Sequence, residues 1–217
     1  LDLASGRWNF VDSQLSQARQ LTMSAGQQVS DASQAQASAA LDDALRDSSA
    51  EGRALLRDLS SGEGSVDHSR HRGRQAMARL SLLQADFHLG ESELDGLIAD
   101  LQKSGDARLP LVLEARYGVD LAREGFETVH DCGQEFLFSA AGALDGFREG
   151  RDPASEIRGD RPGLNIQQAA TEVGQSLLSI HHDLLRMDAA LSDANLHGDQ
   201  ASSQLADSAR GLRRLAD

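Results

Sequence analysis

From Ile166 to Leu215 an apolar or small residue recurs at alternating steps of three and four: Ile166, Ala170, Val173, Leu177, Ile180, Leu184, Met187, Leu191, Ala194, Gly198, Ala201, Leu205, Ser208, Leu212, Leu215. No charged residue interrupts this ladder over about seven heptads, and a repeat averaging 3.5 residues is the mark of helices packed side by side along a seam. A strand repeats every two residues and cannot produce it. This feature alone fixes the class of fold as helical.

The same repeat occurs elsewhere. One ladder runs Ala76, Leu80, Leu83, Phe87, Gly90, Leu94, Leu97, Leu101, and another runs Val112, Ala115, Val119, Ala122, Phe126, Val129, Gly133, Phe136, Ala140, Ala143, Phe147. Leu113, Leu121, Leu137 and Leu144 widen the latter stripe, as a helix packed against two neighbours requires. The N-terminal part holds two registers. Trp8, Val11, Leu15, Ala18, Thr22, Ala25, Val29 and Ala32 share one; Leu41, Leu45, Ser48, Gly52, Leu55 and Leu59 share another, offset by two residues. Read as one helix, the chain must overwind, underwind or bend within 31–41.

Punctuation marks the breaks. SSGEGSVDHSRHRGR (60–74) is rich in glycine and charge, KSGDARLP (103–110) has Gly and Pro, and EGRDPASEIRGDRPG (149–163) has both repeatedly. All three prolines, Pro110, Pro153 and Pro162, fall in or beside these segments. The sequence therefore predicts a single elongated domain over 1–217, an all-α, up-down-up-down four-helix bundle with coiled-coil-like heptad seams. Its helices are expected at about 5–60, 74–103, 110–149 and 164–216. The first and last, each ~80 Å at 1.5 Å per residue, should run past the inner pair as a two-helix stalk.

Composition narrows the class further. Aromatic residues make up 4% of the chain against 40% hydrophobics, so Leu, Ala, Val and Ile must fill the core, which disfavours a sheet sandwich. The formal charge of −13 argues against nucleic acid or an anionic membrane surface as main partner. A single cysteine, Cys132, rules out an internal disulfide, and no Cys/His pattern with zinc spacing occurs. No apolar run approaches the ~18 residues of a membrane span. The chain opens on Leu1, not Met, as a processed protein or an excised fragment would.

Two long terminal helices, two shorter inner ones and chain ends lying close together resemble the extracytoplasmic sensor domains of bacterial chemoreceptors and sensor kinases, of the four-helix or the longer helical bimodular type. The resemblance implies a non-enzymatic module between two membrane helices. It would be periplasmic or otherwise extracytoplasmic, pair as a homodimer or higher assembly, bind a small ligand or a partner protein, and signal by small helix shifts. Membrane contact would lie only in segments outside this chain, and no cofactor is expected. The same heptads, rich in Ala, Ser and Gln, also fit a secreted or surface-exposed helical subunit of a filament or secretion apparatus.

Two constellations offer chemistry. Arg70, Arg72 and Arg74 in segment 60–74, with Arg151, Arg158 and Arg161 in segment 149–163 beside Arg148, would meet at one tip of an up-down bundle. Guanidinium forks there suit a small anionic ligand or an acidic partner. Against this, Glu63, Asp67, Asp152, Glu156 and Asp160 would neutralise them locally. His88, His130 and His181 lie on three helices at comparable heights, either as a shared histidine cluster or as boundary residues with their edges in solvent. Glu127 and His130 have the ExxH spacing of dimetal bundles, but no second ExxH accompanies them and both fall outside the seam, so no metal site is expected. Cys132 and His130, two apart, point away from each other on a helix. No nucleophile elbow, P-loop, HExxH or GxGxxG occurs, and nothing in the sequence supports an enzyme.

Overall fold

The structure, a computed structural model, describes residues 2–39, 48–157 and 166–216. Four helices follow in order: α1 (Asp2–Ala39), α2 (Ser48–Ser104), α3 (Leu109–Ile157) and α4 (Ile166–Ala216). The all-α four-helix expectation holds, and among the described residues there is no strand. Two compact units form, each drawing a segment from every helix. Unit 1 comprises 1–16, 73–134 and 191–217; unit 2 comprises 17–72 and 135–190.

The helix boundaries differ from the expectation in one large respect. The first helix ends at Ala39 instead of near residue 60, and segment 60–74, expected as a loop, is the interior of α2. The offset between the two N-terminal registers is thus the offset between two helices. The physical reason lies on the buried side of α2, where Leu59, Gly62, Val66, Ser69, Gly73 and Ala76 continue one three/four ladder. Its small members receive neighbouring side chains: a methyl at Gly62 would lie 2.7 Å from the Phe147 ring. Ser69 Oγ donates to the Ala18 carbonyl at 2.8 Å and lies 2.9 Å from Thr22 Oγ1. Glycine and serine act here as seam residues, and the charges between them line the outer face.

At 38 residues α1 is the shortest helix and α2, at 57, the longest, so the expected stalk of first and last helices does not form. The third helix runs to Ile157, through Pro153, where a break was expected from residue 149. Residues 158–163 of that break lie outside the described residues. Pro110 occupies the first turn of α3, where its missing N–H has no intrahelical partner to lose.

In unit 1 every neighbouring pair is antiparallel. Arg7 Nη1 donates to the Leu82 carbonyl at 2.6 Å and meets Asp86 at 2.8 Å, joining α1 to α2. Arg116 Nε to Asp95 and Arg123 Nε to Glu91, both 2.9 Å, join α3 to α2. Gly125 admits Ala201 so closely that a methyl there would lie 2.8 Å from the alanine Cβ, and Gly198 of α4 lies under the Trp8 ring of α1. Phe126 fills the centre, its ring 4.8 Å from Trp8 and 5.7 Å from Phe87 between centroids.

Unit 2 is built the same way. Thr22 meets Ser69 and Gln28 Nε2 donates to Ser61 Oγ at 2.8 Å across α1 and α2. Arg19 Nε donates to Asp188 Oδ1 at 3.0 Å across α1 and α4. Between α3 and α4, a methyl at Gly146 would lie 2.8 Å from Ile180 Cγ1.

Candidate functional site: an apolar cleft in unit 1

The cleft arises from unequal helix reach. Arg7 fixes α1 against Leu82 and Asp86, and from there α1 has five residues left to Asp2 while α2 has eighteen to Ser104. At 1.5 Å per residue these are roughly 8 and 27 Å. Past the first turn of α1, the described residues that wall unit 1 belong to α2, α3 and α4 and the turn before α3. The ladder residues continue there with less cover: Leu97 is 42% exposed, whereas Leu80, Leu83 and Phe87 of the same seam are buried.

The cleft is a half-open groove of about 410 Å³, within the size range of small-molecule sites, ~300–1,000 Å³. Gly90, Leu94, Leu97 and Leu101 of α2 form one wall, Val112 of α3 the floor, and Leu212 and Leu215 of α4 the other wall. Among the described residues two charged ones line it, Glu93 on α2 and Arg108 just before α3.

Arg108 is held by the turn that joins α2 to α3. Gly105, at φ 65°, ends α2: its N–H donates to the Gln102 carbonyl at 3.3 Å and the Asp106 N–H to the Leu101 carbonyl at 3.1 Å. This is a Schellman cap, which needs a left-handed residue at that place and so favours glycine. Asp106 then caps the next helix, its Oδ1 accepting the Arg108 N–H at 2.8 Å. The Asp106 carboxylate also accepts from Arg108 Nε at 3.1 Å and from Nη2 at 2.8 Å. These side-chain and backbone bonds from Arg108 hold the Asp106 carboxyl down at about 2. Asp106 thereby engages the Nε and Nη2 of a guanidinium that is 57% exposed at the rim of the cleft.

Neither Arg108 nor the cleft belongs to the sites read from sequence. Of the arginines read there, Arg70, Arg72 and Arg74 lie on α2 inside the segment that proved helical, and Arg70 Nη2 lies 3.6 Å from Asp67 Oδ1. Arg151 and Arg148 of α3 converge on Glu63 of α2, where they tie two helices together. Arg158 and Arg161 lie outside the described residues. The anion-binding tip therefore loses its first loop: Arg70, Arg72 and Arg74 stand along a helix, and Arg148 and Arg151 are engaged with Glu63.

The histidines divide between units. His88 and His130 are in unit 1, each beside an acid of its own helix, Glu91 at 3.5 Å and Asp131 at 3.7 Å, while His181 is exposed in unit 2. Among the described residues no group of three or more His, Cys, Asp or Glu is placed to hold a metal. Glu127 accepts from Arg123 at 2.8 Å. Cys132 is half-buried, and burial together with Asp193 and Asp131 pushes its thiol up, away from the reactive thiolate.

Among the described residues no helix is long and apolar enough to cross a membrane. The chain matches no protein-family model, no curated protein and no solved structure.

Proposed function

We propose that this chain is a non-enzymatic, extracytoplasmic sensing module of a membrane receptor, binding a small ligand or partner protein and passing on a helix displacement. The observation that carries this reading is the position of the cleft. Its α4 wall, Leu212 and Leu215, belongs to the last turns of α4, the helix that runs from unit 2 into unit 1. A ligand packed there changes the contacts between the end of α4 and the α2–α3 pair, which is the differential contact that a ligand-driven shift requires. The division into two helical units, each with its own four-helix core, accords with a helical bimodular sensor.

A screen of soluble small molecules by thermal shift, followed by hydrogen exchange with each hit, tests the reading. The expected ligand raises the melting midpoint and slows exchange at 94–101 and 205–215. In the full-length gene, membrane spans on both sides and a downstream signalling helix support it, whereas a reading frame ending near Asp217 rejects it.

A helical assembly subunit is the second reading, favoured by exposed leucines one heptad apart. Leu82 and Leu89 on α2 and Leu178 and Leu185 on α4 each share one outward face, and such pairs suit packing against other copies. Concentration-dependent association, lost on Leu178→Glu with Leu185→Glu and accompanied by no ligand, favours it over sensing.

A further inference from the structure

We propose that the unit 1 cleft binds an amphipathic monocarboxylate, an aliphatic chain ending in one carboxylate, with the carboxylate on Arg108 and the chain laid along α2. This names the ligand class of the site on which the sensing reading rests.

Charge and polarity are distributed along the cleft, and they orient the occupant. Arg108 sits at the level of Leu101, because the Asp106 N–H is bonded to the Leu101 carbonyl in the same turn. From Leu101 to Gly90 is eleven residues of α2, ~16 Å of wall, and the side chains along it are Leu94, Leu97 and Leu101, faced by Leu212 and Leu215. Arg108 is the basic residue of this lining, and its charge is shared with the Asp106 carboxylate. Arg213 and Arg214, in the last turn of α4, add positive charge next to Leu212 and Leu215, in a chain whose formal charge is −13. Glu93, which lines the cleft on α2 about twelve ångströms of helix rise from Leu101, repels a second carboxylate and so selects against dicarboxylates.

Arg108 is prepared for this contact. Holding a guanidinium costs the rotamer freedom of a long side chain, and the Asp106 carboxylate has already fixed it through Nε and Nη2. A carboxylate bound at Nη1 therefore meets a guanidinium already held on its other edge by an exposed ion pair. An uncharged ligand of the same length would fill the apolar walls and leave this donor unused.

The probe is decanoate, titrated calorimetrically below its micelle concentration into the chain at pH 7, with decanol and decylamine as controls. Decanoate is expected to bind one to one, and Arg108→Ala to weaken it about tenfold or more, as the loss of a charge-assisted hydrogen bond does. Glu93→Gln is expected to leave decanoate no weaker and to admit the ten-carbon dicarboxylate sebacate. Leu97 is already exposed, so Leu97→Glu retains the fold, checked by circular dichroism, and abolishes binding. Equal binding of decanol, preference for decylamine, several-fold stoichiometry insensitive to Leu97→Glu, or an unchanged Arg108→Ala overturns the proposal. If decanoate fails while another screened molecule protects 94–101 and 205–215 from exchange, the ligand class is wrong and the sensing reading stands. If nothing binds and sedimentation finds a dimer that Leu97→Glu dissociates, a second copy fills the cleft and both fall.

Discussion

At the scale of the residue, the glycines divide by what their missing side chain would touch. Gly64 has nothing within 4 Å of where a methyl would stand and lies on an exposed helical face, while Gly125 has Ala201 Cβ at 2.8 Å. Gly64→Ala should therefore stabilise the chain by about 0.5–1 kcal/mol, through the lower backbone entropy of the unfolded state. Gly125→Ala should destabilise it by about 1–3 kcal/mol, because a rigid neighbour must move. Urea midpoints at constant slope measure both. The carboxylates divide as well: Asp12 is raised by burial first and by Asp199 second, and Asp106 is lowered by Arg108. A raised carboxyl opposes folding when ionised, so Asp12 weakens the fold above its folded value and ceases to do so once pH drops below 3.8, its ordinary value. Asp106 has the opposite sign, supporting the fold above 3.8 and losing that support as pH falls towards about 2. Asp12→Asn should then raise the melting midpoint measured at pH 7, and the gain should vanish on acidification.

At the scale of the element, ladder positions were legible wherever they carried large side chains. Val112 to Phe147 on α3 and Val173 to Leu205 on α4 are buried almost without exception along the seams read from sequence. Segment 60–74 was misread because its seam is made of Gly62, Val66, Ser69 and Gly73. Three of the four are residue types that also make turns, and local sequence does not say whether a glycine is bent or packed. The two-residue register offset did carry the information, since it separates two helices. On α3, Gly118, Gly125, Cys132, Ser139 and Gly146 recur every seventh residue, a heptad of small residues on the face towards α4 that apolar counting passes over. His68, exposed in the middle of α2, tests the corrected boundary through the backbone alone. His68→Pro should cost about 3 kcal/mol or more, read as a fall in the urea midpoint, whereas a loop there would absorb it with little change.

At the scale of the whole molecule, the site depends on how far each helix reaches, and that is why it was not legible. Arg108 appears in the sequence inside KSGDARLP, where Gly105 and Asp106 read as punctuation; only when α2, α3 and α4 end together does that turn stand at an apolar cleft. The arginines singled out in the sequence lie elsewhere, on α2 and at the end of α3 or outside the described residues. The central claim is that filling the cleft moves the end of α4 against α2. Spin labels at Lys103→Cys and Arg214→Cys, both exposed and both in unit 1, in a Cys132→Ser background, report the distance between those helix ends by electron–electron resonance. Saturating decanoate is expected to shift the distance distribution, and Arg108→Ala to abolish the shift at the same concentration. A distribution unchanged by a ligand that calorimetry places in the cleft would contradict the claim.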